Sequence, residues 1–184
     1  MIIIGITGTN ASGKDTAADF FKQQGFEAFS LSDILREEAK KRGLEVSREN
    51  LIALGKELRE KFGLGYLAEE TLKKIKANSI VTSIRHPQEV ATLKKSPHFS
   101  LIAVDAPIEL RYKRVQKRDR GEKEGETLAE FKKLEAKEFA SEGAGQQLGK
   151  CMAMAEYQIE NDGTKEAFYQ KLASLFNKIK NETS

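Results

Sequence analysis

An apolar run followed at once by a glycine-rich loop constrains the fold of this chain more than any other feature. Residues 1–7, MIIIGIT, are β-branched and apolar on both faces, which predicts a buried central strand of a parallel sheet. Residues 8–14, GTNASGK, match the pattern G-x-x-x-x-G-K, and a helix is expected from about Gly13 to Gln24. Because glycine lets successive backbone N–H groups turn toward one anion, this order of elements predicts a phosphate-binding loop.

The loop supplies a set of candidate ligands for a nucleotide. The N-terminus of the following helix favours an anion, and Lys14 can reach the β- and γ-phosphates. Asp15 stands where serine or threonine usually follows the lysine. Adenylate-kinase-like enzymes have a small residue and then threonine here, and this resemblance implies Thr16 as the Mg²⁺ ligand. The predicted nucleotide-binding residues of the loop are Gly8, Asn10, Ala11, Ser12, Gly13, Lys14, Asp15 and Thr16.

The rest of the chain alternates predicted strands with predicted helices. Repeated β-α alternation indicates a parallel sheet covered by helices on both faces, which is an α/β fold of three layers. We expect a single domain over residues 1–184, with a helical insertion at about 31–77 and a short charged lid at about 118–126. Further strands are predicted at residues 26–30, 79–84, 99–104 and 157–159.

Composition excludes several classes of protein. The single cysteine, Cys151, rules out an internal disulfide and fits a reducing, cytoplasmic compartment. The net charge of +3 comes from 31 basic and 28 acidic residues that are mixed along the chain, unlike a nucleic-acid footprint. The apolar run at 1–6 is too short to cross a membrane and lacks the flanks of a signal peptide. We therefore expect a cytoplasmic monomer or homodimer that binds a small nucleotide, without nucleic-acid or membrane partners.

Two arginines follow predicted strands at the edge of the sheet where ligands of parallel α/β folds bind. Residues 32–36, SDILR, come after the second strand, and Ser32 and Asp33 are expected to open a helix there. The segment resembles the D-x-L-R of adenylate kinases, and Arg85 resembles the strand-end arginine of nucleotide kinases. The resemblance implies that Arg36 and Arg85 bind an acceptor phosphate, with Arg85 also catalytic, and that Asp33 could take a proton from a hydroxyl acceptor.

A second group of arginines precedes the predicted lid. Arg114 and Arg118 are four residues apart, so they share one helix face. The spacing resembles the lid entry of dephospho-CoA kinases and nucleoside monophosphate kinases. That resemblance implies that Arg114 stacks on the adenine and that Arg118 is catalytic, closing with Arg120 over the transferring group. Residues 155–163, AEYQIENDG, resemble the A-D-x-x-I-x-N-x-G segment of dephospho-CoA kinases, which implies a last strand near the adenine.

The third strand departs from these families. Relatives often carry an acidic residue there that positions Mg²⁺ through water, whereas this chain has Val81, Thr82 and Ser83. Thr82 could hold a water but carries no charge. Asp33 or Asp105 could supply the carboxylate instead, and the departure leaves open whether catalysis is unchanged, reduced or lost.

The resemblance covers almost the whole chain and implies the P-loop kinase fold with strand order 2-3-1-4-5. It implies transfer of the γ-phosphate of ATP, with Mg²⁺, to a nucleoside or deoxynucleoside monophosphate. The run GKDTAADFF resembles phage deoxynucleoside monophosphate kinases in particular. Two alternatives remain: a dephospho-CoA kinase, and a non-catalytic nucleotide-binding module similar to the N-terminal domain of some deoxycytidylate deaminases.

Overall fold

A computed structural model describes residues 1–117, 127–139 and 142–183 of the chain. The strands are β1 (Ile3–Gly8), β2 (Glu27–Ser30), β3 (Ser79–Thr82), β4 (Phe99–Asp105) and β5 (Tyr157–Glu160). The helices are α1 (Lys14–Gln23), α2 (Leu31–Lys41), α3 (Arg48–Phe62), α4 (Tyr66–Lys74), α5 (Pro87–Leu93), α6 (Ile108–Gln116), α7 (Leu128–Phe139), α8 (Leu148–Ala153) and α9 (Lys165–Glu182).

The five strands form one parallel sheet in the order β2-β3-β1-β4-β5. β1 lies in the centre, and every one of its residues is buried because helices cover both faces of the sheet. The predicted three-layer α/β/α fold and its strand order are therefore confirmed. All parallel strands end at one edge, which brings the loop after β1 next to the residues that follow β3 and β4.

Two large hydrophobic cores lie on the two faces of the sheet, and a smaller cluster of Ala11, Val115 and Phe131 joins the loop after β1 to α6 and α7. On one face, α1 and α9 pack on the sheet through a cluster that includes Phe21 and Phe168. On the other face, the core contains residues of α2, α3, α4, α5 and α8, including Leu67 and Cys151. Burial raises the pKa of the Cys151 thiol to about 12, so this cysteine is a packed apolar side chain rather than a nucleophile.

Several element boundaries differ by one or two residues from the sequence predictions, and the backbone explains two of these differences. β3 ends at Thr82, two residues early, because Ser83 has a φ of 60° that breaks the extended backbone. Ile84 still lies in the core, which explains why the apolar run read as strand. α2 begins at Leu31, before the predicted Ser32–Asp33 opening, and the extended residue Ser30 takes the N-cap position.

The stretch between β2 and β3 holds α2, α3 and α4, in the place of the predicted insertion at about 31–77. These helices pack on the same face of the sheet as α5 and α8. The predicted lid at about 118–126 lies outside the described residues. Among the helices of the described ranges, none has the length and apolar composition that crossing a membrane requires.

Candidate functional site

The loop between β1 and α1 needs its glycines for close backbone approaches. Gly8 has a φ of 142°, and a Cβ there would lie 1.9 Å from the carbonyl oxygen of Val104. Gly13 has a φ of 108°, and a Cβ there would lie 2.2 Å from Nδ2 of Asn161. Ala11 also adopts a left-handed φ of 57°. The pattern seen in the sequence therefore corresponds to a tightly curled loop in which larger residues would not fit.

The polar groups of this loop suit an anion. α1 begins directly after Gly13, without a side chain to cap its first N–H groups. Lys14 donates from Nζ to the carbonyl oxygen of Thr9 at 2.5 Å. The hydroxyl of Ser12 is buried and has no hydrogen-bond partner within the described ranges. Exposed Asp15 and half-buried Thr16 follow in the first turn of α1, so the loop fits the triphosphate of a nucleotide.

Arg114 and Asn161 support the loop from outside. Arg114 donates from Nη1 to the carbonyl oxygens of Ala11 (3.3 Å) and Ser12 (3.4 Å), and from Nη2 to that of Asn161 (2.9 Å). Asn161 donates from Nδ2 to the carbonyl oxygen of Ser12 at 2.8 Å. The predicted nucleotide ligand Arg114 thus binds the loop itself, and its stacking on adenine stays a prediction.

Arg111 was not among the predicted site residues, although it is a second support of the loop. Its buried guanidinium donates from Nη1 to the carbonyl oxygen of Asn10 at 3.3 Å and from Nε to that of Ala106 at 2.7 Å. It also forms an ion pair with Glu135, with Nη2 to Oε1 at 2.9 Å. The sequence offered one signal, namely its position one helical turn before Arg114.

The candidate carboxylates occupy two different places. Asp105, at the end of β4, accepts hydrogen bonds from the Thr9 hydroxyl of the loop and from the backbone N–H of Ala106. Asp33 lies in the first turn of α2 and accepts from Arg36 Nη1 at 3.0 Å. The Thr82 hydroxyl donates to the β2 backbone, which leaves Asp105 as the candidate in direct contact with the loop.

These donors bear on whether the site suits Mg²⁺. The described residues contain no group of three or more metal-ligating side chains. Mg²⁺ in nucleotide sites is usually held by one or two protein groups together with phosphates and water. The hydroxyl of Thr16, and the carboxylate of Asp105 that contacts the loop through Thr9, are protein groups of the kind that such a site uses.

A cavity of about 220 Å³ lies beside the loop at the carboxyl edge of the sheet. It brings the predicted acceptor ligands Arg36 and Arg85 to one wall, together with Arg48 of α3, which sequence reasoning missed. It adjoins a larger cavity of about 1000 Å³ between α3 and α7, and five residues line both cavities, namely Arg48, Ile52, Arg59, Glu138 and Gln146. The polar residues of the smaller cavity include Asn10, Ser32, Arg36, Arg48, Arg85 and Glu138.

The backbone of Arg85 is fixed on both sides. Its N–H donates to Oε2 of Glu89 at 2.9 Å, and its carbonyl accepts from the backbone N–H of Gln147 at 2.8 Å. The Nη1 atom of its guanidinium is buried and has no hydrogen-bond partner in the described part of the chain. A buried guanidinium nitrogen with unused donors is suited to an anionic ligand.

Arg36 is held more loosely than Arg85. Its side chain is 46% exposed, and Nη1 donates to the Ser32 hydroxyl at 2.6 Å and to Asp33 at 3.0 Å. The Ser32 hydroxyl is part of a small hydroxyl cluster with Ser30 and Ser83, which joins the ends of β2 and β3. Arg118, predicted to be catalytic, and Arg120 lie outside the described residues.

Beneath the cavity, His86 caps α5. Its Nδ1 accepts from the backbone N–H of Gln88 at 3.1 Å, and its Nε2 lies 3.0 Å from the carbonyl oxygen of Gly143. This pair of contacts requires the neutral ring with the proton on Nε2. Burial lowers the pKa of His86 from its ordinary value of 6.5, and the contact with Gly143 offsets part of that effect.

We expect His86 to make the protein less stable in acid. Because its folded-state pKa is depressed, the contribution of the neutral ring is fully present above the unfolded value of 6.5 and is lost as the pH falls through the folded value. His86→Asn keeps a capping side chain but cannot titrate. In urea titrations, the free energy of unfolding of the wild type should fall relative to that of His86→Asn between pH 7.5 and pH 5. A constant difference would contradict the assigned protonation state.

The comparisons with known proteins agree with this architecture. Residues 4–138 match a family described as an AAA domain. The UPF0200/UPF0201 protein of Archaeoglobus fulgidus is 34% identical, over 97% of this chain and 56% of its own length. The UPF0200 protein of Thermococcus gammatolerans is 31% identical, over 97% of this chain and 95% of its own. The chain belongs to the UPF0200 family and contains this AAA domain. The UPF0200 chain thus spans about half of the Archaeoglobus relative and nearly all of the Thermococcus one.

Solved structures place the fold of this UPF0200 protein. Shikimate kinase from Acinetobacter baumannii, solved in complex with shikimate, aligns with a TM-score of 0.61. The alignment covers 97% of this chain and 94% of that kinase, at 19% identity. The UPF0200 chain therefore has a P-loop kinase fold.

Proposed function

We propose that the protein is an ATP-dependent phosphotransferase that passes the γ-phosphate to a nucleoside or deoxynucleoside monophosphate. The observation that supports this acceptor is the 220 Å³ cavity beside the loop, where Arg36, Arg48 and Arg85 surround one space next to Asn10. Arginine is suited to phosphate because its planar guanidinium donates two parallel hydrogen bonds. A cytoplasmic location and a monomeric or homodimeric state belong to the same proposal.

The residues of the loop would bind the triphosphate. ATP with Mg²⁺ supplies the phosphoryl group and neutralises part of its charge, and Thr16 would hold the metal. Lys14 and the N–H groups at the start of α1 would bind the β- and γ-phosphates. Arg111, Arg114 and Asn161 keep the loop in the shape that this binding needs, since they donate to its carbonyl oxygens.

On the acceptor side, the residues of the chain would mainly position the acceptor and neutralise the charge of its phosphate. A phosphate acceptor is already ionised, so it needs ligands and no base, whereas a hydroxyl acceptor needs a carboxylate to take its proton. Asp33 is the candidate base, yet its side chain is 56% exposed and engaged by Arg36. That arrangement favours the phosphate acceptor over the hydroxyl of dephospho-CoA. Arg85, with Lys14, would stabilise the charge that spreads over the transferring group.

A panel of acceptors tests the proposal. Purified protein is incubated with ATP, Mg²⁺ and, separately, each common nucleoside and deoxynucleoside monophosphate or dephospho-CoA, and ADP formation is followed. We expect acceptor-dependent ADP formation with one or more monophosphates. Turnover with dephospho-CoA alone would establish the hydroxyl alternative. Tight ATP binding without turnover of any acceptor would support the non-catalytic module.

We expect Arg36→Ala and Arg85→Ala to lower kcat/KM for the acceptor, while the affinity for ATP stays near that of the wild type. Each arginine should contribute a charged hydrogen bond, about 1.5–3 kcal/mol, so kcat/KM for the acceptor should fall about 10- to 150-fold. The matched control is Arg42→Ala, because Arg42 pairs with Glu38 and Glu57 on the surface of the same insertion. A rise in the KM for ATP with unchanged acceptor kinetics would mean that these arginines bind ATP and not the acceptor.

A further inference from the structure

A carboxylate lies among the arginines of the smaller cavity. Glu138, in the last turn of α7, is only 12% exposed and accepts a hydrogen bond from Arg48. Its Oε2 atom lies 4.0 Å from Nη1 of Arg85, which is beyond hydrogen-bonding distance. Glu138 therefore attracts both arginines by its charge, but among the described residues the buried Nη1 donors of Arg85 have no acceptor.

The contacts within the cavity identify Arg85 as an arginine that a phosphate would use, with Arg48 next to it on the same carboxylate. Arg59 also lines the cavity, but it is buried in an ion pair with Glu89 at 2.8 Å. Arg36 is paired with Asp33 at 3.0 Å. Arg85 has no acceptor at hydrogen-bonding distance from its buried Nη1 among the described residues, so this guanidinium keeps donors for a further anion.

A phosphate group would be a better ligand for this pair than Glu138. A carboxylate has two oxygens, and one of them is already engaged by Arg48. A terminal phosphate has three oxygens and up to two negative charges, so it can serve Arg48 and Arg85 together. Both anions cannot remain at hydrogen-bonding distance from the same guanidinium groups without strong repulsion.

We propose that Glu138 competes with the phosphate of the acceptor for Arg48 and Arg85, and that it thereby sets the affinity and selectivity of the acceptor site. Binding of the phosphate displaces the Glu138 carboxylate from the two arginines. An acceptor without a phosphate cannot displace it, so Glu138 excludes uncharged molecules from the cavity. The anion subsite is inferred from the positions of Arg48, Arg85 and Glu138, and only the identity of the acceptor rests on the proposed function.

The neighbouring turn of α7 confines the displacement to a small region. Glu135, one turn before Glu138, is held by the ion pair with buried Arg111, which also binds the loop at Asn10. This contact anchors α7 beside the cradle. Displacement of the Glu138 carboxylate would then need only a rotation of its own side chain, while α7 keeps its place.

The test measures binding of inorganic phosphate by calorimetry, without any turnover. Glu138→Gln keeps the shape of the side chain and removes its charge, so we expect phosphate to bind about tenfold more tightly or better than to the wild type. The control is Glu142→Gln, which removes a carboxylate from the wall of the larger cavity and should leave the affinity unchanged. Arg85→Ala/Glu138→Gln should abolish the gain, which separates this subsite from phosphate binding at the loop.

Each outcome decides the inference. Tighter phosphate binding by Glu138→Gln that depends on Arg85 supports it, even if no monophosphate is phosphorylated, in which case the proposed function alone fails. Unchanged or weaker binding overturns it, and weaker binding means that Glu138 instead holds the arginines in position. Thermal melting confirms that the variants are folded, and Glu138→Ala repeats the measurement if the glutamine variant is not.

Discussion

Replacing Lys14 with alanine should lower kcat about 100- to 1000-fold, a loss typical for removal of one group that stabilises transition-state charge. The fold should survive, because Lys14 is half-buried, lies outside the hydrophobic cores and donates from Nζ to a carbonyl oxygen of the loop, that of Thr9. A cation in the first turn of a helix opposes the helix dipole, so its position does not favour stability. The free energy of unfolding should therefore change by no more than about 0.5 kcal/mol.

The matched control for this variant is Lys22→Ala. Lys22 lies in the last turn of the same helix and forms an exposed pair with Asp19 at 3.0 Å. Exposed pairs of this kind contribute about 0–1 kcal/mol, so both activity and stability should stay near the wild type. If Lys14→Ala turned over ATP at the wild-type rate, the loop would not be the phosphoryl-donor site.

The architecture could be predicted because its signals are local. The apolar residues of β1 follow one another directly, and Gly8 and Gly13 lie where the backbone turns. β1, β3 and β4 each contain a short apolar run, and the order of the elements restricts the sheet to few arrangements. The exceptions were also local. Ser83 ends β3 early through an unusual φ, which no hydropathy pattern reveals.

The supports of the site could not be predicted in the same way, because they join distant parts of the chain. Asn161 binds the carbonyl of Ser12 across 149 positions, and Arg48 meets Glu138 across 90. Charged side chains are usually exposed, so a pattern of arginine and glutamate predicts a solvated surface. Only the folded structure distinguishes buried Arg111 from the exposed lysines around it.

Arg36 and Arg85 were found from sequence for a different reason. Their place after strands β2 and β3 is a topological signal, since ligands of parallel sheets bind at the carboxyl edge. The same rule brings Asp105 to that edge after β4. This rule could not predict Arg48, because Arg48 does not follow a strand. It lies in the first turn of α3 and reaches the cavity through the packing of α3 on α2.

Glu89→Ala should destabilise the protein by about 3–5 kcal/mol, which is a large part of the usual stability of a domain. Glu89 is fully buried, and its carboxylate accepts from Nε of Arg59 at 2.9 Å and from the backbone N–H groups of Arg85 (2.9 Å) and His86 (3.0 Å). The variant leaves a buried guanidinium and two buried donors without their acceptor. Urea titration of the two proteins at pH 7.5 measures the difference in free energy of unfolding.

Two further variants show how much of the lost stability comes from the buried charge of Glu89 and how much from removing a carboxylate side chain in general. Glu89→Gln keeps one acceptor oxygen for the backbone N–H groups, so it should lose less stability than Glu89→Ala. Glu57→Ala removes a half-exposed carboxylate from its pair with Arg42 and should cost about 0–1 kcal/mol. Because Glu89 also fixes the backbone of Arg85, its alanine variant should raise the acceptor KM even where the protein remains folded. A loss of stability no greater than that of Glu57→Ala would show that Arg59 finds another partner or reaches water when Glu89 is removed.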